Sequence, residues 1–315
     1  MVLERKLDIK VILEILVFLA IAALAIAAVN DALTHDSVNA RAGASALTAD
    51  LDALTVTNVR TQSVAKKAGK SAEAKELDEI RTKITPLALT ISRAERTQSD
   101  YYDALSNERD ASALRSELEG SIPKAREALT EMKKLVDRQI DICKKIGDSD
   151  GAAIAADFYK AHETAVNTLQ IDPFTDDQVQ ARDKDIQDGS KTIIASARKK
   201  ADEINPSDLD ADDKKTLGEV AVSGKKGISD MKDVVNIITK LIPELQKSLQ
   251  DAMGSIKGAG GIGSIAKLAT GGGGPNDTID SLKKIISNLQ NLLNGVNALS
   301  GEFTPFVDTV EKLAK

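Results

Sequence analysis

From Val11 to Val29 the chain reads VILEILVFLAIAALAIAAV, a run in which Glu14 is the sole ionisable residue. A stretch of this kind approaches the roughly twenty residues that cross a bilayer as a helix. If it spans, whatever precedes it and whatever follows it lie on opposite sides of a membrane. Arg5, Lys6 and Lys10 precede the run, whereas Asp31 and Asp36 follow it closely and Arg41 is the first basic residue beyond it. The positive-inside tendency then predicts a cytosolic N-terminus and an extracytoplasmic bulk, held at the cell membrane or cell surface by a single pass. A cleaved secretory signal is the competing reading, because Ala25-Ile26-Ala27 has the small-x-small form of a cleavage site. The length of the apolar run favours an uncleaved signal-anchor.

A carboxylate in such a run must be neutralised, paired or brought to the interface. Glu14 lies one turn after Lys10, so an i,i+4 pair at the headgroups is the simplest expectation. The alternative is a contact with a positive group on a neighbouring chain. Ala20, Ala23, Ala27 and Ala28 fit that alternative, since small side chains let membrane helices approach closely. The residues Glu14-Ile15-Leu16-Val17-Phe18-Leu19-Ala20-Ile21-Ala22, with the alanine-rich run continuing to Val29, resemble the N-terminal helix of type IV pilin-like proteins. That resemblance covers residues 10–29 only, and it implies that Glu14 corresponds to the glutamate through which such subunits assemble. Ile9 and Lys10 stand where the family has the small residue of its cleavage site.

Beyond the run, aromatic residues make up 3% of the chain and Trp is absent, which suits close-packed helices better than a sheet. The expected fold is all-α: one transmembrane helix continuing into an elongated extracytoplasmic bundle. No proline occurs before Pro86, so the first helix is expected to continue outward as a stalk to about Ala68, weakened at Gly43 and between Thr55 and Thr61. A second helix is expected over 71–118, and Gly120-Ser121-Ile122-Pro123 reads as a break with Ser121 as N-cap. Gly147 to Gly151 reads as a turn, and further helices are expected over 152–169 and 176–204 before Asn205-Pro206. The organisation is then a cytosolic N-terminus at 1–10, a membrane helix at 11–30, stalk and first bundle helices at 31–120, a central helical region at 121–204 and a C-terminal helical hairpin at 205–315. Four successive glycines, Gly271 to Gly274, close a segment, 254–274, that reads as the tip of that hairpin.

Two apolar seams support the bundle. Leu118, Ile122, Ala125, Leu129, Met132 and Val136 recur at alternating spacings of four and three, and so do Leu282, Ile285, Leu289, Leu292 and Val296. Met132 and the lone Cys143 are expected as core residues, not ligands.

The chemistry-bearing motifs are sparse. The formal net charge is -6 with dispersed basic residues, which argues against nucleic acid as a partner. His35 and His162 are the only histidines, and neither stands in a metal-ligand spacing. Asp208, Asp210, Asp212 and Glu219 copy some positions of a calcium loop, but Asp213 occupies the place that needs glycine, so a helix start explains the acids better. No nucleophile elbow, P-loop or dinucleotide fingerprint occurs. The expectation is a protein that is not an enzyme and carries neither cofactor nor metal. Its partners would be the lipid bilayer and either further copies of itself, as in a surface or filament subunit, or another surface protein. A helical ligand-binding sensor and a helical membrane-inserting protein with 254–274 as its tip are the two alternatives.

Overall fold

In the computed structural model the backbone is described for residues 9–258 and 275–315, and side chains for 29–250, Met253 and 279–315. The elements are α1 (Ile9–Lys67), α2 (Ser71–Ser106), α3 (Ser112–Ile146), α4 (Ser149–Asn167), α5 (Asp176–Arg182), a π-helical turn (Asp183–Asp188), α6 (Gly189–Asp202), a 3-10 turn (Pro206–Asp208), α7 (Ala211–Gly258) and α8 (Pro275–Leu313). The protein is an all-α bundle, and no strand occurs among the described residues. Among those residues no helix is long and apolar enough to cross a membrane. The side chains of 1–28, where the sequence places the span, lie outside the described residues. So do Glu14, Ala20, Ala23, Ala27, Ala28 and the part of the glycine-rich tip at 259–274.

The segment expected to be a stalk is instead the axis of the bundle. From Leu33 to Ala65 α1 is covered on nearly every side: Ala40, Ala46, Ala49 and Ala53 are fully enclosed, and so are the polar Asp50, Thr57 and Thr61. Alanine at these positions lets neighbouring helices approach the α1 backbone, which is why a segment with little amphipathic period ends up in the centre. The helix runs unbroken through this stretch, where Thr55 and Thr57 donate to the carbonyls of Leu51 and Ala53 at 2.8 and 2.9 Å.

Around this axis α2 runs antiparallel to α1, with Ser37 Oγ donating to the Ser99 carbonyl and Ser92 Oγ to that of Ala44. α3 returns antiparallel to α2, tied by Arg138 to Glu76. α4 then packs on α3 and on α6, and α7 and α8 pack against each other. The two approach closely at Gly224, where a Cβ would stand 2.4 Å from Val307 Cγ2. Both helices also pack on α1, and Ala32 of α1 and Ser281 of α8 line one small cavity.

Several boundaries differ from the sequence reading. α2 stops at Ser106, the chain reverses through Asn107–Ala111 with Glu108 at φ 53°, and α3 then runs unbroken through Gly120 and Pro123. Ser121 is therefore no N-cap; its hydroxyl bonds the Leu118 carbonyl within α3. Proline inside a helix costs about 3 kcal/mol, but the apolar stripe from Leu118 through Ala125 and Ala128 to Met132 is buried along its length, and a break at Pro123 would expose it. The start of α3 is set by Asp110, whose carboxylate accepts the Ser112 amide at 3.0 Å. α3 ends at a left-handed Gly147, and Asp148 caps α4. The acids at the start of α7 act as helix-start residues, with Asp210 and Asp213 each accepting the other's amide hydrogen.

Candidate functional site

The helix expected over 176–204 is interrupted. After a capping box between Thr175 and Gln178, α5 gives way at Arg182 to the π-helical turn. Such turns sacrifice hydrogen-bond geometry and recur where a helix must present particular side chains. Here the turn adjoins a deeply buried ion pair.

Arg182 is 1% exposed and Glu95 is fully buried. Arg182 Nη1 donates to Glu95 Oε1 at 3.0 Å and Nη2 to Glu95 Oε2 at 2.5 Å, a two-pronged pair. Its Nε donates to Asn39 Oδ1 at 2.6 Å, and Nη1 also to Thr168 Oγ1 at 2.7 Å. The Phe174 ring lies 4.6 Å below the guanidinium. One layer thus joins α1, α2, the end of α4 and the end of α5. Gly43 makes it possible, because a Cβ there would stand 2.5 Å from Nη2 of Arg182 and 3.1 Å from Oε2 of Glu95.

Next to this layer is His35, 3% exposed, whose Nδ1 lies 2.9 Å from Asp36 Oδ1. That contact assigns the ring hydrogen to Nδ1, since the carboxylate only accepts. The other Asp36 oxygen accepts the Phe174 amide at 2.8 Å. His35 Nε2 and Asp183 Oδ1 are buried without a hydrogen-bond partner among the described residues. Burial pushes the Asp183 carboxyl up to about 6, against the downward pull of His35 and Arg182.

Beside the π-turn a groove of about 550 Å³ opens between that turn and α8. Asp183, Lys184, Gln187 and Asp188 form one wall, and Asn291, Asn294 and Gly295 the other. A smaller cavity of about 200 Å³ lies between His35, Phe174 and Lys284, where Lys284 is already paired to Asp176 at 3.1 Å. Among the described residues, no group of three or more His, Cys, Asp or Glu side chains is placed to hold a metal ion.

Lower along the axis, Asp148 accepts from Thr61 Oγ1 at 2.7 Å and from Lys200 Nζ at 3.1 Å. Burial alone would raise its pKa, but these partners and the Gly151 amide bring it below the usual value. Asp50 and Asp52 are different. Burial holds both carboxyls well above their usual range, only partly offset by hydrogen bonds from Ser190 and Ser223. His162 is fully buried, and burial lowers its imidazole to about 4.

These shifts set a pH profile. A carboxyl raised by folding takes up its proton in the folded state first, so Asp50, Asp52 and Asp183 add stability as pH falls through their folded values. His162 acts oppositely, because the unfolded imidazole is protonated first, and its contribution is lost between 6.5 and about 4. Asp183 therefore adds stability as pH falls through about 6, while His162 subtracts it below 6.5. Asp183→Asn should lower, and His162→Leu raise, the gain in melting temperature on acidification through about pH 6. A pH dependence of the melting temperature that is the same in both variants as in the wild type would contradict the assignment.

The residues singled out from sequence fall in other places. Leu118 is fully buried in a satellite cluster with Leu33, Tyr101 and Tyr102, whereas Met132 and Val136 belong to the main core. Ile122 and Leu129 are partly covered. Leu282, Leu289, Leu292 and Val296 are at most 2% exposed and Ile285 is 9% exposed. Cys143 is buried, and burial pushes its thiol up to about 12. None of these lines the groove. Arg182, Glu95, Asn39 and Gln187 carried no sequence pattern that marked them; Gly43, alone in an alanine-rich stretch, was the one local sign that something bulky lies against α1. Comparison with known protein families, curated proteins and solved structures finds no match for the chain.

Proposed function

We propose that this is a membrane-anchored structural or interaction protein, displayed outside the cytosol, whose N-terminal apolar helix both anchors the chain and brings copies together. The observation that carries this reading is the continuity of α1 from Ile9 to Lys67. The helix holding the apolar run of 11–29 is the same helix that forms the bundle axis, so its placement fixes the placement of the whole domain. The basic residues before the run orient it with the N-terminus in the cytosol. Glu14 and the small residues Ala20, Ala23, Ala27 and Ala28 then supply a face for association between chains.

The full-length chain with a C-terminal epitope, expressed in cells, tests both parts. Protease added to intact cells should remove the epitope while a short N-terminal fragment stays with the membrane. Cross-linking in native membranes should show ordered multimers, lost in Glu14→Gln and in Ala23→Leu although both remain membrane-bound. Full solubility of the uncleaved chain would refute the anchor. A wild type that stays monomeric in intact membranes would refute the assembly and leave Glu14 as the partner of Lys10.

A further inference from the structure

Several surface charges of this bundle find partners across helices: Lys160 with Asp185 at 2.9 Å, Arg198 with Glu302 at 3.4 Å and Lys225 with Glu311 at 2.9 Å. Those lining the groove beside the π-turn do not. Asp183, Lys184, Asp188 and Lys191 line it, yet none forms an ion pair among the described residues. Gln187 is 4% exposed, makes no side-chain hydrogen bond among them, and has its Oε1 buried without a donor. Facing it, Asn291 and Asn294 on α8 present exposed carboxamides. Gly295 keeps the groove open: a Cβ there would already stand 3.5 Å from Gln187 Cβ, and a larger side chain would enter the space between the walls. Polar groups that line one groove without being satisfied by one another are what a site for a polar ligand requires.

We propose that this groove binds a small zwitterion of free amino-acid size, its ammonium taken by the Asp183 carboxylate and its carboxylate by Lys184, Lys191 and the Asn291 and Asn294 amides. The composition narrows the ligand. Two carboxylates oppose a phosphate, two ammonium groups oppose a bare polyamine, and no aromatic ring lines the groove to stack on a sugar. The volume of about 550 Å³ lies within the range of small-molecule sites. The π-turn brings Asp183 and Gln187 to one wall, and the Arg182 layer behind it holds that wall on α1 and α2. This inference does not depend on whether the chain is anchored or assembled.

The test is isothermal titration of the full-length protein with each free amino acid in turn, with methylamine and acetate as the two halves of the zwitterion. At least one amino acid should bind saturably with Kd below about 1 mM, while methylamine and acetate alone bind at least tenfold more weakly. Asp183→Asn should weaken that binding at least tenfold. Asn291→Ala with Asn294→Ala, on the exposed face of α8, should do the same while circular dichroism and melting temperature stay at wild-type values. Gly295→Leu should abolish binding by filling the groove. The proposal is overturned if no amino acid binds saturably, if methylamine or acetate binds as well as the intact zwitterion, or if the doubly substituted α8 variant binds like the wild type.

Discussion

Arg182→Leu is expected to destabilise the protein by about 3–5 kcal/mol. The reason is not the loss of an attraction alone. Glu95 is fully buried, and both its oxygens are occupied by the guanidinium. Removing Arg182 leaves that carboxylate without a compensating charge in a region closed to water. Asn39 and Thr168 lose a donor at the same time, and the Phe174 ring loses the cation above it. The double variant Arg182→Leu with Glu95→Leu should recover much of the loss, because replacing both members of a buried pair by apolar groups is often close to neutral. Chemical denaturation of the single and double variants measures this directly. If the double variant is as unstable as the single one, the cost lies in packing around the π-turn and not in an orphaned charge. In either variant the α5–α6 segment should exchange its amide hydrogens faster than in the wild type, since the layer joins that segment to α1 and α2.

Leu289→Asp is expected to cost more than about 4 kcal/mol, enough to unfold a domain of ordinary stability. Leu289 is fully buried in the centre of the α8 seam, flanked by Leu282, Leu292 and Val296. Truncation there would already forfeit about 2–5 kcal/mol through the lost apolar contact and the cavity left behind. An aspartate adds a charged group with no partner in an apolar seam, which must either be desolvated or stay protonated. Gln290→Asp is the control: the neighbouring residue is exposed on the same helix, so its effect should remain within about 0.5 kcal/mol. Thermal melting of both variants separates the two cases. A Leu289→Asp protein that melts near the wild-type temperature would mean that α8 does not depend on the seam for its position.

The sequence alone carried the all-α class and the apolar seam of α8. The three-four spacing that begins at Leu282 continues through Leu299, Phe303, Phe306 and Val310, past Gly301 and Pro305, and α8 runs through both. Gly147 and Asn205-Pro206 marked turns that the fold uses, because a left-handed cap and a proline act within a few residues of themselves. Pro123 shows where local signals stop being decisive. Its penalty is real, but the buried stripe from Leu118 to Met132 outweighs it, and that burial is supplied by other helices. The helix of 33–65 shows the same limit more strongly. Alanine, serine, threonine and asparagine fill most positions between its scattered leucines and valines, so from sequence it reads as a stalk continuing the first helix. Only the packing of α2, α4, α6, α7 and α8 around it makes it the axis. The Arg182 layer and the groove were invisible for a related reason: Asn39, Glu95, Thr168 and Arg182 are scattered along the chain and meet only when four segments pack, and nothing in the spacing of charged residues along one helix encodes which partner on another helix will neutralise them.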